Sequence, residues 1–105
     1  MSKFESVNVL KAANIYFDGR VSSRTIEFAD GSTKTLGLML PGEYTFNTAK
    51  PELMEITSGK VSWCLAGESD WHTVGGGESF DVPGDSSFQI RVEEVTDYIC
   101  SFLPN

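Results

Sequence analysis

The fold is decided by the stretch Pro41-Gly42-Glu43-Tyr44-Thr45-Phe46-Asn47-Thr48, in which a turn signal leads directly into a regular alternation of side chains. A Pro-Gly pair marks a turn. After this turn, Tyr44, Phe46 and Thr48 share one face of an extended chain, and the residues between them share the other. Alternation of this kind is typical of a half-buried antiparallel strand. We therefore predict a strand whose Tyr44, Phe46 and Thr48 side chains face inward.

The same combination of turn and strand-sized segment recurs along the chain. Segments rich in Val, Ile, Thr and aromatic residues are separated by Gly, Pro, Asp and Ser, which predicts an all-β sandwich or barrel. Asp30-Gly31 predicts the turn of a hairpin between Thr25–Ala29 and Ser32–Leu36. Further predicted strands are Thr35–Leu40, Glu43–Thr48, Leu53–Thr57, Lys60–Leu65, Glu78–Val82, Ser86–Val92 and Tyr98–Leu103.

In three of the later strands the alternation again assigns an inward face. The predicted inward side chains are Val61, Trp63 and Leu65, then Phe80 and Val82, then Phe88, Ile90 and Val92. Lys60, Ser62 and Cys64 are assigned to the outward face of their strand.

The composition predicts one acidic domain. The chain has 105 residues, and 15 acidic against 8 basic residues leave a net charge of −7. An acidic chain argues against binding to nucleic acid, because a nucleic-acid backbone needs a basic face. No apolar run approaches the ~18 residues of a membrane span, and the N-terminal sequence does not resemble a signal peptide. We therefore expect a cytoplasmic protein that binds neither membrane nor nucleic acid.

Two further expectations concern the cysteines and the N-terminus. Cys64 and Cys100 lie in apolar contexts without C-x-x-C spacing, so we expect reduced, buried thiols, although a disulfide between them is geometrically possible. The first dozen residues are predicted to be helical or unordered.

Two glycine–proline frames resemble the paired motifs of the cupin superfamily. The first frame runs from Pro41-Gly42 to Glu52 and on to Gly59, and the second from Gly77 through Pro83-Gly84 to Phe88. Cupins are small β-barrels of the jelly-roll type. The resemblance therefore implies a single-domain cupin-type jelly roll with a short N-terminal extension.

The chain departs from the cupin motifs at the positions that usually bind a metal ion. Phe46, Thr48 and Phe88 stand where those motifs place histidines, and only the glutamate is kept, as Glu52. His72, the single histidine, lies outside both frames. A transition metal needs several nitrogen or carboxylate donors that converge on one point. We therefore expect no metal and no cofactor.

A narrower resemblance is to the small bacterial pyrimidine/purine nucleoside phosphorylase family. It is carried by the run from Gly37 to Met54, which includes Gly-Glu-Tyr-Thr-Phe, and by Phe80-Asp81-Val82-Pro83-Gly84, Ser87-Phe88 and Asp97-Tyr98-Ile99-Cys100. Because the resemblance covers about Tyr16 to Phe102, it implies a β-barrel domain over residues 16–105 and an N-terminal extension over residues 1–15. The resemblance implies metal-free phosphorolysis of a broad range of nucleosides, with inorganic phosphate as co-substrate. A non-catalytic small-molecule-binding cupin module is the alternative, and a metal cupin enzyme of another kind is a weaker one. A homodimer is also expected, partly from the family and partly because open sheet edges favour pairing.

Glu52 is the candidate catalytic residue. It stands at a position that points into the barrel in metal cupins, where it would accept hydrogen bonds from ribose or support a cationic sugar. The alternative is a surface glutamate in the Lys50-Pro51-Glu52 turn. The candidate substrate-binding residues are Tyr44, Phe46, Thr48, Met54 and Phe88, with plain core packing as the alternative for Phe46 and Phe88.

The sequence does not identify the phosphate-binding residues. Besides backbone amides at the glycine turns, the candidates are Arg20, Arg24, Lys34, Lys50 and Arg91. Arg91 alternates with Ile90 and Val92 and is expected on the outer face. His72 is a conceivable general acid, but a lone exposed histidine is more often incidental, and we assign it no role.

Overall fold

A computed structural model describes residues 2–104, which form nine antiparallel strands. The strands are β1 (Asn8–Val9), β2 (Asn14–Tyr16), β3 (Val21–Glu27), β4 (Thr33–Met39), β5 (Gly42–Thr48), β6 (Glu52–Leu65), β7 (His72–Gly75), β8 (Glu78–Val82) and β9 (Ser86–Phe102). A short 3₁₀ turn at Phe17–Gly19 is the only helical element in this part of the chain. None of its helical structure has the length and apolarity that a membrane crossing needs.

The long strands β6 and β9 form the centre of the fold. They pair with each other from Glu52↔Phe102 to Leu65↔Phe88. The other edge of β9 pairs with β4 along its second half and with β5 along its first half. The other edge of β6 pairs with β8 and then with β7. Each long strand therefore runs through both layers of a jelly-roll sandwich, and the sheet stays open between its end strands β1 and β7.

The bend between the two layers lies at an irregular part of the β6–β9 pairing. The register shifts between Ile56 and Val61. Gly59, in this stretch, has a φ of +105°, and a side chain there would collide with Thr96 of β9. Register irregularities bend and twist a strand locally, and glycine supplies the conformation and the space that this one requires.

The all-β prediction is confirmed in detail at several strands. The Asp30-Gly31 hairpin joins β3 to β4, which pair from Val21↔Met39 to Glu27↔Thr33. The inward face of β5 is confirmed by the burial of Tyr44 and Thr48. The predicted inward side chains of β8 and of the first half of β9 are 5% exposed or less, namely Phe80, Val82, Phe88, Ile90 and Val92.

Three sequence predictions are corrected. Leu53–Thr57 and Lys60–Leu65 are parts of one strand, β6, because Ser58-Gly59 between them lies in a bulge and not in a turn. Ser86–Val92 and Tyr98–Leu103 fall likewise within β9 and its end. A helix in the first dozen residues is wrong for its described part, where Asn8–Val9 pairs with β3 instead.

The cysteines are buried, free thiols, as predicted. Cys64, however, was assigned to an outward face and is only 3% exposed. The reason is the turn that follows β6, which folds back over it, so that the Cys64 thiol donates to the carbonyl of Glu68 at 3.1 Å.

Gly37 makes room for an aromatic ring in the interior. It pairs with Tyr98 across the β4–β9 ladder. A Cβ at this position would lie 2.7 Å from Cε1 of Tyr98 and would also collide with the carbonyl oxygen of Ser22. Glycine at 37 therefore allows the Tyr98 ring to lie directly against the backbone of β4.

We expect Gly37→Ala to destabilise the fold by about 1–3 kcal/mol, the usual cost of forcing extra atoms into a packed interior. Chemical denaturation measures the effect. Gly75→Ala is the matched control, because a Cβ at that strand position meets its neighbours only at 3.6 Å or more. Equal stability of the two variants would contradict the role given to Gly37.

Candidate functional site

A cavity of about 460 Å³ lies between the two layers. Its lining comes from β2 to β6, from the segment between β5 and β6, and from both halves of β9. Most of this lining is apolar, and polar side chains from β3, β4, β6 and β9 form one wall. Interior pockets of this kind, apolar with a few convergent polar groups, are the usual form of small-molecule sites.

The polar wall follows from strand register. Cys100 on β9 pairs with Thr35 on β4 at one edge and with Met54 on β6 at the other. Ser23 on β3 lies beside Gly37, which in turn lies beside Tyr98. Because residues in one row across a sheet point to the same face, these side chains project together into the cavity.

Glu52 stands at the start of β6 and lines this cavity, so it is not the solvated turn residue of the alternative interpretation. It is half-buried, and one carboxylate oxygen accepts a hydrogen bond from the Cys100 thiol at 3.4 Å. Burial raises the pKa of Glu52, and the thiol hydrogen bond partly opposes this rise.

Tyr98 and Cys100 remain protonated around neutral pH. Burial raises the pKa of both groups, and the negative charge of Glu52 raises the pKa of Cys100 further. The phenol and the thiol therefore act as neutral hydrogen-bonding groups, while Glu52 is the carboxylate of the polar wall.

The opposite wall is aromatic. Phe46 of β5 and Phe88 of β9 are paired in the ladder and stack with ring centroids 5.5 Å apart. Tyr16 meets Phe46 edge to face at 6.3 Å. Of the predicted substrate-binding residues, the structure thus brings Phe46, Met54 and Phe88 into one cavity with Glu52.

Tyr44 and Thr48 do not line this cavity, although the sequence analysis placed them among the ligand contacts. The Tyr44 hydroxyl donates to the carbonyl of Leu40 at 2.6 Å. The Thr48 hydroxyl donates to the carbonyl of Pro83 at 2.7 Å and accepts from the Ser86 amide. Their polar tips hold the backbone turns at the two ends of β5.

The basic candidates are scattered over the molecule. Arg20 donates to the carbonyl of Pro41, and Arg24 to that of Lys11. Lys34 lies over the rings of Phe4 and Phe28. Arg91 is on the outer face, as predicted, where it pairs with Glu43 and covers Trp71. Lys50 alone among these candidates borders the cavity.

His72 is exposed and packs against Trp63 at 4.6 Å, away from the cavity lining. Within residues 2–104, no three His, Cys, Asp or Glu side chains come close enough together to hold a metal ion.

Sequence reasoning missed part of the polar wall, namely Ser23, Thr35, Tyr98 and Cys100. A signal was present in Asp97-Tyr98-Ile99-Cys100, where alternation places Tyr98 and Cys100 on one face. Ser23 and Thr35 could not be found in this way, because which polar residues face a cavity depends on strand pairing.

Comparison with known proteins places the chain in a family. The family model for pyrimidine/purine nucleoside phosphorylase matches residues 11–102. The chain belongs to the pyrimidine/purine nucleoside phosphorylase family. A relative with that name from Sulfurovum sp. is 60% identical over 103 residues, covering 98% of this chain and all of that protein. Another from Geobacter sulfurreducens is 58% identical, covering 98% of this chain and 99% of that protein.

Solved structures show that the nucleoside phosphorylase family shares its fold with cupins. A protein of unknown function from Acinetobacter sp. is 43% identical, with a TM-score of 0.93 over 96% of this chain and 98% of that one. A cupin superfamily protein from Desulfitobacterium hafniense is 11% identical, with a TM-score of 0.65 over 80% of this chain and 78% of that one. The predicted cupin-type jelly roll is confirmed.

The raised pKa of Glu52 predicts a pH-dependent effect of Glu52→Gln on stability. Folded protein binds the Glu52 proton more tightly than unfolded protein, so the stability from this group is present at low pH and lost as the pH rises through the folded pKa. The melting temperature of Glu52→Gln relative to the unmodified protein should therefore increase from about pH 4 to about pH 8.

Thermal unfolding across this range measures the difference. Glu55→Gln, on the opposite face of β6, is the control for loss of one negative charge, and its relative melting temperature should change less with pH. If the melting temperature of Glu52→Gln relative to the unmodified protein stays constant or falls with pH, the raised pKa of Glu52 is contradicted.

Proposed function

We propose that this protein cleaves purine and pyrimidine nucleosides by phosphorolysis, to free base and ribose 1-phosphate, without a metal ion. The observation that carries the proposal is that half-buried Glu52 and the stacked Phe46 and Phe88 rings line one cavity. A nucleoside has the same two parts, a polar sugar and a flat base. The names of the family and of its relatives support the reaction type.

In the proposed reaction, one bond replaces another at the sugar carbon C1′. An oxygen of inorganic phosphate bonds to C1′ while the bond from C1′ to the base nitrogen breaks. The electron pair of the broken bond leaves with the base, and the base takes up the proton that hydrogen phosphate gives up, directly or through a water molecule, so that the products are the neutral base and the ribose 1-phosphate dianion. The sugar becomes partly cationic while one bond breaks and the other forms. Groups that orient the sugar and stabilise this charge therefore lower the activation barrier most.

The aromatic wall would hold the base. Phe46 and Phe88 present π-surface, and Met54 adds an adaptable apolar side chain. Every nucleobase has a π-face, so stacking tolerates purines and pyrimidines alike. The aromatic wall has no fixed pattern of hydrogen-bond donors and acceptors, so it does not discriminate between the edges of different bases. This supports a broad substrate range.

The polar wall would hold the ribose. Glu52 would accept hydrogen bonds from sugar hydroxyls, and its negative charge would stabilise the developing cation at C1′. The neutral thiol of Cys100 donates to Glu52 and thereby fixes the direction of the carboxylate. Ser23, Thr35 and Tyr98 supply further hydroxyls on the same wall.

The donor set supports catalysis without a metal. Phe46 and Phe88, at positions where cupin motifs usually carry histidines, stack on each other. The Thr48 hydroxyl is engaged by backbone groups of the Pro83–Ser86 turn. At the ligand positions of the two frames, Glu52 is therefore the single charged donor, and a transition metal needs several.

An activity assay tests the proposal. Purified protein should release base from uridine and from adenosine only when phosphate is present, and a chelator should leave the rate unchanged. Glu52→Gln should lower kcat by about 10²-fold or more, the usual cost of losing one preorganised electrostatic group. Glu55→Gln should keep nearly full activity.

Three results would contradict this function. Loss of activity in chelator would contradict metal independence, and full activity of Glu52→Gln would remove this residue from the mechanism. Absence of base release with every nucleoside would favour the alternative, a non-catalytic binding module.

A further inference from the structure

The proposed phosphorolysis, on which this inference rests, needs a place for a phosphate anion. The chain carries a net charge of −7, so its long-range field repels phosphate. Binding must therefore come from a cation close to the cavity, where it can contact the anion directly.

Six of the other seven basic residues make side-chain contacts with residues outside the cavity lining. Apart from Lys50, none of the eight basic residues borders the cavity described between residues 2 and 104. Two lysines form surface ion pairs, Lys3 with Glu5 and Lys60 with Glu93. Arg20, Arg24, Lys34 and Arg91 make the backbone, aromatic and ion-pair contacts described above.

Lys50 is held at the cavity by a rim whose backbone is anchored on both sides. The carbonyl of Ala49 accepts from the Asp85 amide at 3.1 Å, and that of Pro51 accepts from the Leu103 amide at 2.9 Å. Asn47, near the end of β5, also borders the cavity. Lys50 and Asn47 are both exposed, so this rim is where the cavity meets solvent.

We propose that Lys50 binds the inorganic phosphate co-substrate at the mouth of the cavity. A lysine ammonium is a charged hydrogen-bond donor to phosphate oxygens. The position also separates the charges. Glu52 is half-buried and Lys50 is exposed, so a ribose bound beside Glu52 would lie between the carboxylate and the phosphate.

The kinetic test compares three variants. Lys50→Met should raise the KM for phosphate by about tenfold or more, the usual value of one charge-assisted contact, and leave the KM for uridine within about twofold. Lys50→Arg should recover most of the phosphate affinity. Lys60→Met removes the same charge far from the cavity and should leave both constants nearly unchanged, because exposed charges at long range are screened.

An unchanged phosphate KM in Lys50→Met would overturn the assignment. An equal rise in the KM values for phosphate and uridine would also overturn it, since Lys50 would then support the whole site instead of one ligand.

A direct titration separates this inference from the proposed function. Inorganic phosphate is added to ¹⁵N-labelled protein without nucleoside, and the amide resonances are followed by NMR. The resonances of Asn47 to Lys50 should shift in the unmodified protein and not in Lys50→Met. Shifts centred on Arg20, Arg24 or Arg91 would overturn the Lys50 site even if phosphorolysis occurs. If phosphorolysis is absent and the Asn47–Lys50 shifts are present, the proposed function fails and the anion site stands.

Discussion

The pairing of β6 with β9 is the constraint on which the rest of the structure depends. These two strands pair through both layers, from Glu52↔Phe102 to Leu65↔Phe88. The same pairing therefore places Glu52 and Cys100 on one wall and Phe88 on the other. A slip of one residue would turn the side chains of the slipped strand to the opposite face, and the cavity would lose its polar wall. Gly59 leaves room for Thr96 of β9 at the bend of this pairing, and Gly37 of β4 leaves room for the Tyr98 ring of β9.

The polar wall of the cavity contains three ionisable groups, Glu52, Tyr98 and Cys100. Burial keeps Tyr98 and Cys100 neutral, and it raises the pKa of Glu52 while leaving that carboxylate partly open to solvent. An anion in a largely apolar pocket is costly unless a partner stabilises it. The proposed function gives Glu52 such a partner in the transient positive charge of the sugar, and the proposed phosphate site keeps the second anion at the solvent-exposed rim.

The sequence predicts the parts of the site that follow from local periodicity. Alternation within single strands identifies Phe46 and Phe88, and the cupin frame identifies Glu52. Alternation alone cannot show that Tyr44 and Thr48 donate their hydroxyls to backbone carbonyls, because the partners lie in turns outside the strand, Leu40 before it and Pro83 after β8. Nor can it separate Lys50 from other basic residues, or show that a turn covers Cys64. The homodimer stays a prediction, and the exposed Leu36, Leu38 and Leu40 are apolar surface that it could bury.

The proposed function requires one cavity between the two layers to hold the whole nucleoside. A crystal structure of Glu52→Gln with bound inosine shows whether it does, since the slowed variant would keep the substrate intact. We expect the base against Phe46 and Phe88 and the ribose beside residue 52. A nucleoside bound instead in the polar surface depression of about 320 Å³ beside Trp71 and Arg91 would rule out this binding mode.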